Sequence, residues 1–366
     1  MQNTHAAPGL WALAWRRLRA DRVAMVALAI VGAFMLLLVL SASGLIVSDW
    51  EEEVGINYAP PSFAAGPADA GRVGRVSPPG VTRQAPPPPN EFDPLAEDLQ
   101  ALQGAPAPEV DMHGVADPLA DDLKALRAQL PGAAGPAAER LPSLPFGGDK
   151  WGHDVIKKTI KGAETSIVVG LVAALVAVGL GTLFGAVSGF YGGLVDDFFN
   201  WFYSIFTSIP SILMILTVAA VLQQKGVMTI VLILGLTGWT GPYRLIRAEY
   251  IKHKAREYVM AADAIGASSW RKMFSHIFPN VSHVALVQMS ILVVGFIKAE
   301  VILSFLGFGV PVGVVSWGSM LNEAQNELIL GKWWQLTAAA TAMALLVTAF
   351  SLFTDALRDA LDPKVK

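Results

Sequence analysis

The stretch EYVMAADAIGASSWRKMFSHIFPN, Glu257–Asn280, lies between two long apolar segments, and its reading decides how the rest of the chain is understood. It is basic and helical in parts. Ala261 and Ala262 stand side by side, Gly266 follows, and Pro279 closes the stretch. Small residues, a helix breaker and a proline are what a short helix–turn–helix needs to dock into a groove on another protein. Between apolar runs such a segment faces water, and its length exceeds what a plain connector requires.

The composition fixes the setting. Of 366 residues, 53% are hydrophobic and only 16% charged, with a mean hydropathy of +0.48. Soluble proteins carry about 25% charged residues. Several uncharged runs approach or exceed the roughly 18 residues of a membrane span. The reading is an all-α polytopic membrane protein, with lipid as its surroundings. A net charge of −3 argues against nucleic acid as a partner. The absence of cysteine excludes disulfides, thiolate chemistry and Cys-based metal sites. The histidines show no metal-ligand spacing, and neither a Gly-x-Ser-x-Gly elbow nor a phosphate-binding loop is present. The expectation is therefore no enzyme, and no metal or cofactor bound by this chain.

Six transmembrane helices are predicted: Val23–Val47, Ile167–Phe190, Phe198–Leu222, Val227–Ile246, Val281–Leu303 and Leu336–Phe353. Arg16, Arg17, Arg19 and Arg22 precede the first. Arg244, Arg247, Lys252, Lys254, Arg256, Arg271 and Lys272 follow the fourth. Positive residues favour the cytoplasmic side, so both ends are placed in the cytoplasm. The domains follow: an amphipathic N-terminus over 1–22 and a first span over 23–47. An extracytoplasmic insert covers 48–164, a transmembrane core 165–355 with a cytoplasmic loop over about 248–280, and a cytoplasmic tail 356–366. The first apolar run is longer than a signal-peptide core of about 7–15 residues, so it reads as an uncleaved span despite Ser41-Ala42-Ser43. Trp11 and Trp15 suit an interfacial helix leading into it.

The insert begins with a Pro/Gly/Ala-rich stretch from Ala59 to Asn90 that reads as an extended linker. A repeat follows: Asp93-Pro-Leu-Ala-Glu-Asp-Leu-Gln-Ala-Leu102 returns as Asp117-Pro-Leu-Ala-Asp-Asp-Leu-Lys-Ala-Leu126. Each copy reads as a short acidic amphipathic helix, and two copies are too few for a solenoid.

Within the spans, Gly181, Gly185 and Gly189 recur every four residues and form a face another helix can approach closely. That face serves either packing inside the chain or a subunit interface. Gly192-Gly193 beside Asp196 and Asp197 marks a tight turn. Ionisable groups inside spans point to function, and Glu300 is the clearest, a candidate for a water-filled pathway or a subunit contact. Lys298, two residues away, points to another face and lies near enough the span's end to snorkel. A proton-relay chain is not visible, because the other spans are almost free of buried charge.

With these residues in place, the loop resembles the EAA loop of ABC importer permeases: Glu-Ala-Ala, three residues, Gly, nine residues, Ile-x-Leu-Pro. Ala261, Ala262, Gly266 and Pro279 fall in register, His276 takes the Ile position and Phe278 the Leu position. Met260 stands where that motif has its Glu, and Glu257 lies one turn earlier. Further stretches resemble the dipeptide/oligopeptide (peptide/nickel) branch in its C-type second-subunit form. They are Gly189-Phe-Tyr-Gly-Gly-Leu-Val-Asp196, Gly238-Trp239 with Arg244-Leu-Ile-Arg247, and Ala299-Glu300 before Leu303-Ser-Phe-Leu-Gly307. Ser316-Trp-Gly-Ser-Met-Leu321 and Asp355-Ala-Leu-Arg358-Asp-Ala-Leu-Asp-Pro363 complete the set. The Pro-rich insert after the first helix departs from the compact family pattern.

The resemblance implies a type I ABC importer permease fold in a bacterial inner membrane. It implies a second homologous permease subunit as partner, the two enclosing the pathway for dipeptides or oligopeptides. It also implies two ATP-binding cassette ATPase subunits that carry the ATP and Mg, and an extracytoplasmic substrate-binding protein. Glu257, Ala261, Ala262, Gly266, His276 and Pro279 would form the ATPase-coupling loop. Related permeases also serve nickel chelates or glutathione. An ion-coupled secondary transporter is the competing class, which would require matched broken spans; none is evident in the sequence, although Pro210 and Pro242 are candidate kinks. A structural or signalling membrane protein using the outer repeat as an adaptor is a third.

Overall fold

A computed structural model describes residues 10–65, 140–222, 224 and 226–361. The chain divides into two units, Met1–Ala65 with Pro142–Lys366, and Gly66–Leu141. The described helices belong to the first. The acidic repeat, most of the Pro-rich linker and residues 362–366 lie outside the described residues.

Among the described residues the architecture is helical, with two isolated backbone bridges, Pro61 to Leu144 and Gly148 to Asp154, and no strand. In chain order the helices are α1 (Leu10–Ala20), α2 (Arg22–Ala42), α3 (Val155–Tyr191), α4 (Gly193–Thr207), α5 (Ser211–Leu222) and α6 (Val227–Thr237). They continue as α7 (Thr240–Lys254), α8 (Glu257–Ala264), α9 (Ser269–Phe305), α10 (Trp317–Ile329) and α11 (Trp334–Leu361). Lys272–Ile277 within α9 is π-helical.

Helix α3 is the hub. It packs on α7, α9 and α6 along its length, and also on α2, α10 and α11. Asp154 caps its start, its carboxylate accepting from the Ile156 amide at 2.8 Å. At 1.5 Å per residue, 37 residues reach about 55 Å, well beyond a hydrocarbon core of about 30 Å. The polar Val155 end, with Lys157, Lys158, Lys161 and Glu164, is the part that exceeds the apolar run. The main core joins Ala173, Ala174 and Ala177 of α3 to Ile230 and Leu234 of α6, Ile297 of α9 and Trp317 of α10. A second cluster joins Ala186 of α3 and Tyr250 of α7 to Val259, Met273 and Ile277. A third seats Ala14 and Leu18 of α1 against Leu357 and Leu361 of α11, so the N-terminal helix docks on the bundle and keeps Trp15 exposed.

The six predicted spans are only partly realised. Four helices, α2, α3, α9 and α11, are long and apolar enough to cross a membrane, or five spans if α4 and α5 count as one. The expected Phe198–Leu222 span is bent by 83° between α4 and α5, at Ser208-Ile209-Pro210. The expected Val227–Ile246 span is split at Gly238–Trp239 into α6 and α7, so α6 is only 11 residues long. Pro242 is no kink; it sits in the first turn of α7, where a missing N–H costs nothing. The break has a packing cause. Trp239 is buried among Phe184, Phe202 and Phe206, with ring centroids 5.3–5.4 Å away. A Cβ on Gly238 would lie 2.3 Å from the Phe296 ring. The two spans expected as continuous helices are thereby corrected to broken ones.

Two boundaries also move. The first helix stops at Ala42 rather than Val47, because Gly44 takes φ +72° and Val47 φ +59°. Helix α3 begins twelve residues before Ile167, so 155–164 belongs to it and not to the insert. The connection expected over Ser304–Gln335 contains α10, started by a capping box in which Ser316 and Ser319 exchange hydrogen bonds with each other's amides.

Candidate functional site

The predicted helix–turn–helix forms. Helix α8 ends in a Schellman arrangement: the Gly266 amide donates to the Asp263 carbonyl at 2.9 Å and the Ala267 amide to the Ala262 carbonyl at 3.0 Å. Gly266 has φ +79°, the left-handed region a Cβ disfavours. Ser268 then caps the next helix, its hydroxyl accepting from the Arg271 amide. Pro279 does not close the stretch, and the helix runs through it. Its ring removes one donor and crowds the carbonyl four residues back. The π-helical Lys272–Ile277 precedes it, with the Phe278 amide reaching the Met273 carbonyl. The Tyr250 hydroxyl donates to that same carbonyl at 3.1 Å. The π-turn is thereby pinned to α7.

One face of the hairpin is anchored and the other is bare. Val259, Met273 and Ile277 are buried in one cluster with Ala186 and Ile246, and Ala262 is buried as well. On the open side Met260 is 56% exposed, Trp270 62% and Ile265 83%. Glu257, Ala261, Gly266 and Pro279 are exposed and His276 is half-buried. The Lys272 ammonium bridges the hairpin to Asp263 at 2.5 Å. Of the six sequence-predicted loop residues, Ala262 is thus the buried one, and Glu257, Ala261, Gly266 and Pro279 are presented outward. Burial pushes the nearby His253 imidazole below the ordinary histidine value, against the pull of Glu249.

The glycine face is occupied within this chain, by α7. An added Cβ would lie 2.6 Å from the Trp239 carbonyl at Gly181, 2.8 Å from the Tyr243 carbonyl at Gly185, and 2.7 Å from the Arg247 carbonyl at Gly189. Beside this contact the Arg247 guanidinium donates twice to Asp196, both at 2.6 Å. Ser188 donates to the same carboxylate at 2.5 Å. The Gly192-Gly193 turn, with φ +68° and +54°, swings Asp196 of α4 back to this clamp. The sequence reading saw the turn and missed the clamp, whose partners lie 51 residues apart.

Glu300 is fully buried, with 0% exposure. Its two oxygens accept from Ser166 of α3 and Ser304 of its own helix, each at 2.7 Å. Ser166 in turn accepts from the Trp317 amide at the start of α10, at 3.2 Å. The acid therefore ties α3, α9 and α10 together. Lys298 points outward and is exposed, as its spacing predicts. A further buried charge lies outside the predicted spans, Lys158 at the polar Val155 end of α3. Its ammonium is buried and donates to Asp149 at 2.7 Å, Glu323 at 2.6 Å and Gln335 at 3.4 Å. Among the described residues no group of three or more acidic or histidine side chains could hold a metal ion.

The fold defines a class: a multi-pass helical membrane protein that carries a helical hairpin outside its apolar bundle. The chain belongs to the binding-protein-dependent transport system inner membrane component family, whose profile matches residues 181–366. Residues 9–61 match the N-terminal TM domain of oligopeptide transport permease C. The chain is similar to the dipeptide transport system permease protein DppC of Bacillus subtilis, 36% identical over 221 residues, 60% of this chain and 69% of the relative. The oligopeptide transport system permease protein OppC of the same organism is 37% identical over 221 residues, 60% and 72% of the two chains. The peptidoglycan transport system permease protein YejE of Agrobacterium fabrum is 33% identical over 219 residues, 60% and 57%. The resemblance to the peptide branch of the ABC importer permeases is therefore confirmed.

Proposed function

We propose that this chain is one permease subunit of an ATP-driven importer, forming the pathway for dipeptides or oligopeptides with a second, homologous permease. The observation that carries the reading is the hairpin, anchored by Val259, Met273 and Ile277 and bare on its outer face. Exposed Met260, Ile265 and Trp270 give the hairpin apolar side chains that a groove on an ATPase would bury. The two ATPase subunits hold the ATP and Mg, and this chain transmits their closure to the bundle as a rigid-body movement. An extracytoplasmic binding protein delivers the substrate. The hairpin and both termini face the cytoplasm, a placement supported by their Lys and Arg content and by the packing of α1 on the end of α11.

The bend between α4 and α5 supports the partner permease. Ser208, Ile209 and Pro210 are exposed in this chain, and non-helical backbone at membrane depth persists only against protein or a water-filled cavity. Uptake of labelled di- and oligopeptides by cells with and without the gene tests the substrate, with a nickel chelate and glutathione as competing arms. Co-purification of an ATPase with the affinity-tagged chain tests the mechanism. A chain that binds no ATPase when all subunits are co-expressed is not this kind of permease.

A further inference from the structure

We propose that Glu327 is a proton-operated latch: its neutral carboxyl seats α10 on the Val155 end of α3, and its ionisation loosens that helix. Glu327 is only 2% exposed, and neither carboxyl oxygen has a hydrogen-bond partner among the described residues. Buried polar groups are nearly always paired, so an orphan carboxyl with two bare oxygens calls for a reason. Its surroundings explain why none can be supplied. Lys158 is the cation whose charge acts on it, and an ammonium has three hydrogens. All three are committed, to Asp149, Glu323 and Gln335.

Asp149 is likewise engaged, accepting from the Trp151 amide at 2.8 Å, the His153 amide at 3.0 Å and pairing with the His153 ring at 2.9 Å. Burial pushes its carboxyl up, but Lys158 and these bonds outweigh that and hold it below the usual carboxylate range. Glu323 stands one turn before Glu327 on α10 and takes a second, longer contact from Lys150 at 3.7 Å. The Lys150 backbone approaches Glu327 without closing a hydrogen bond. From α11 the neutral Gln335 enters the cluster, while Glu300 of α9 lies under the other end of α10, bound to its serines. The arrangement thus sets three carboxyls around one ammonium, and the third remains neutral by keeping its proton.

Burial is the main cause that pushes Glu327 up to about 7; Lys158 opposes it, and Asp149 and Glu323 reinforce it. Once α10 lifts away, the same carboxyl returns to water and titrates near 4.3, roughly the ordinary glutamate value. Between about pH 4.5 and 7 lifting α10 therefore releases a proton, and the opening constant rises about tenfold per pH unit. Below that window both states are protonated, and above it neither is, so the constant levels off. The seating is fully present in acid and is lost as pH rises towards 7. Only the placement of this end on the outer face rests on the proposed function; there the latch would tie the surface that meets the binding protein to external pH.

Hydrogen–deuterium exchange of the full chain in lipid nanodiscs, corrected for the intrinsic rate at each pH, reads α10 directly. In the wild type, opening over Trp317–Ile329 should climb about tenfold per pH unit between about pH 4.5 and 7 and then plateau. In Glu327→Gln it should stay at the wild-type acid level throughout. An unchanged pH profile in Glu327→Gln, a flat wild-type profile, or a folded Glu327→Gln chain that is loose at every pH would overturn the latch. If Glu327→Gln does not fold, the infrared band of a protonated carboxyl in the wild type decides: it should be present near about pH 6 and fade above about pH 8. Its absence near pH 6 is the overturning result. None of these measurements depends on transport or on an ATPase partner.

Discussion

Where α3 crosses α7 the chain uses glycine so that two backbones can touch, whereas at Gly266 it uses glycine with no atom nearby. At Gly181, Gly185 and Gly189 an added Cβ would run into backbone carbonyls at 2.6–2.8 Å. At Gly266 a Cβ would find nothing within 4 Å, and the constraint is the φ of +79°. The first region is limited by space and the second by dihedral angle. The difference teaches that the two should respond to opposite kinds of substitution: size decides in the bundle, and tolerance of the left-handed region decides in the hairpin.

The largest effect is expected where space is the limit. Gly185→Leu would push against the Tyr243 carbonyl and Ile246, and carbonyls within a helix cannot swing aside. With α3 and α7 apart, the Ser188–Tyr243 contact and the Asp196–Arg247 clamp are lost as well. Failure to accumulate as a monodisperse species in detergent is expected. Gly185→Ala should fold but lose about 1–3 kcal/mol, the usual cost of overpacking, seen as a lower Tm. A wild-type Tm in Gly185→Leu would break the comparison at its root.

Next in size is the far end of the same tight packing. A Cβ on Gly318 would lie 2.7 Å from the Val301 carbonyl and 2.5 Å from Ser304, beside the Glu300 network. Glu300→Leu would leave the Ser166 and Ser304 hydroxyls without their acceptor, at about 1–3 kcal/mol for each buried group. Glu300→Gln retains an acceptor oxygen and should lose less. If both variants lose transport equally while their Tm values match wild type, Glu300 acts on the pathway and not as the tie between α3, α9 and α10.

How much of this was legible in the sequence follows the same division. The apolar runs announce α2, α3, α9 and α11 because hydrocarbon-length segments have few other uses. The hairpin is legible because the turn needs Gly266, and the glycine repeat announces a close contact without naming its partner. Pro210 marks the bend at Ser208–Pro210 as a candidate kink, whereas the break at Gly238–Trp239 is hidden, since the apolar run continues across it and only the aromatic cluster around Trp239 forces the split. The start of α3 is masked by Lys157, Lys158, Lys161 and Glu164, which read as loop until their partners are known. One of those partners, Glu323, is 165 residues away. Glu327 is invisible for the same reason. An acid on a polar helix attracts no notice until the fold buries it.

The smallest effect, and the sharpest test of the hairpin's half of the comparison, is expected at Gly266. Asn tolerates the left-handed region and Val does not, although both fit the open space. Gly266→Asn should therefore keep the turn, the Schellman bonds to Ala262 and Asp263, and the retention of the proposed ATPase. Gly266→Val should cost roughly 1–2 kcal/mol in the turn. Because the hairpin is anchored separately through Val259 and Met273, that cost should fall on the exposed face and not on the bundle. ATPase retention is then expected to weaken by about 5- to 30-fold with the Tm of the bundle unchanged. Retention measured by quantitative pull-down would overturn the dihedral argument if Asn and Val weakened it alike. In that case side-chain bulk against the partner, and not the turn, would be what Gly266 avoids.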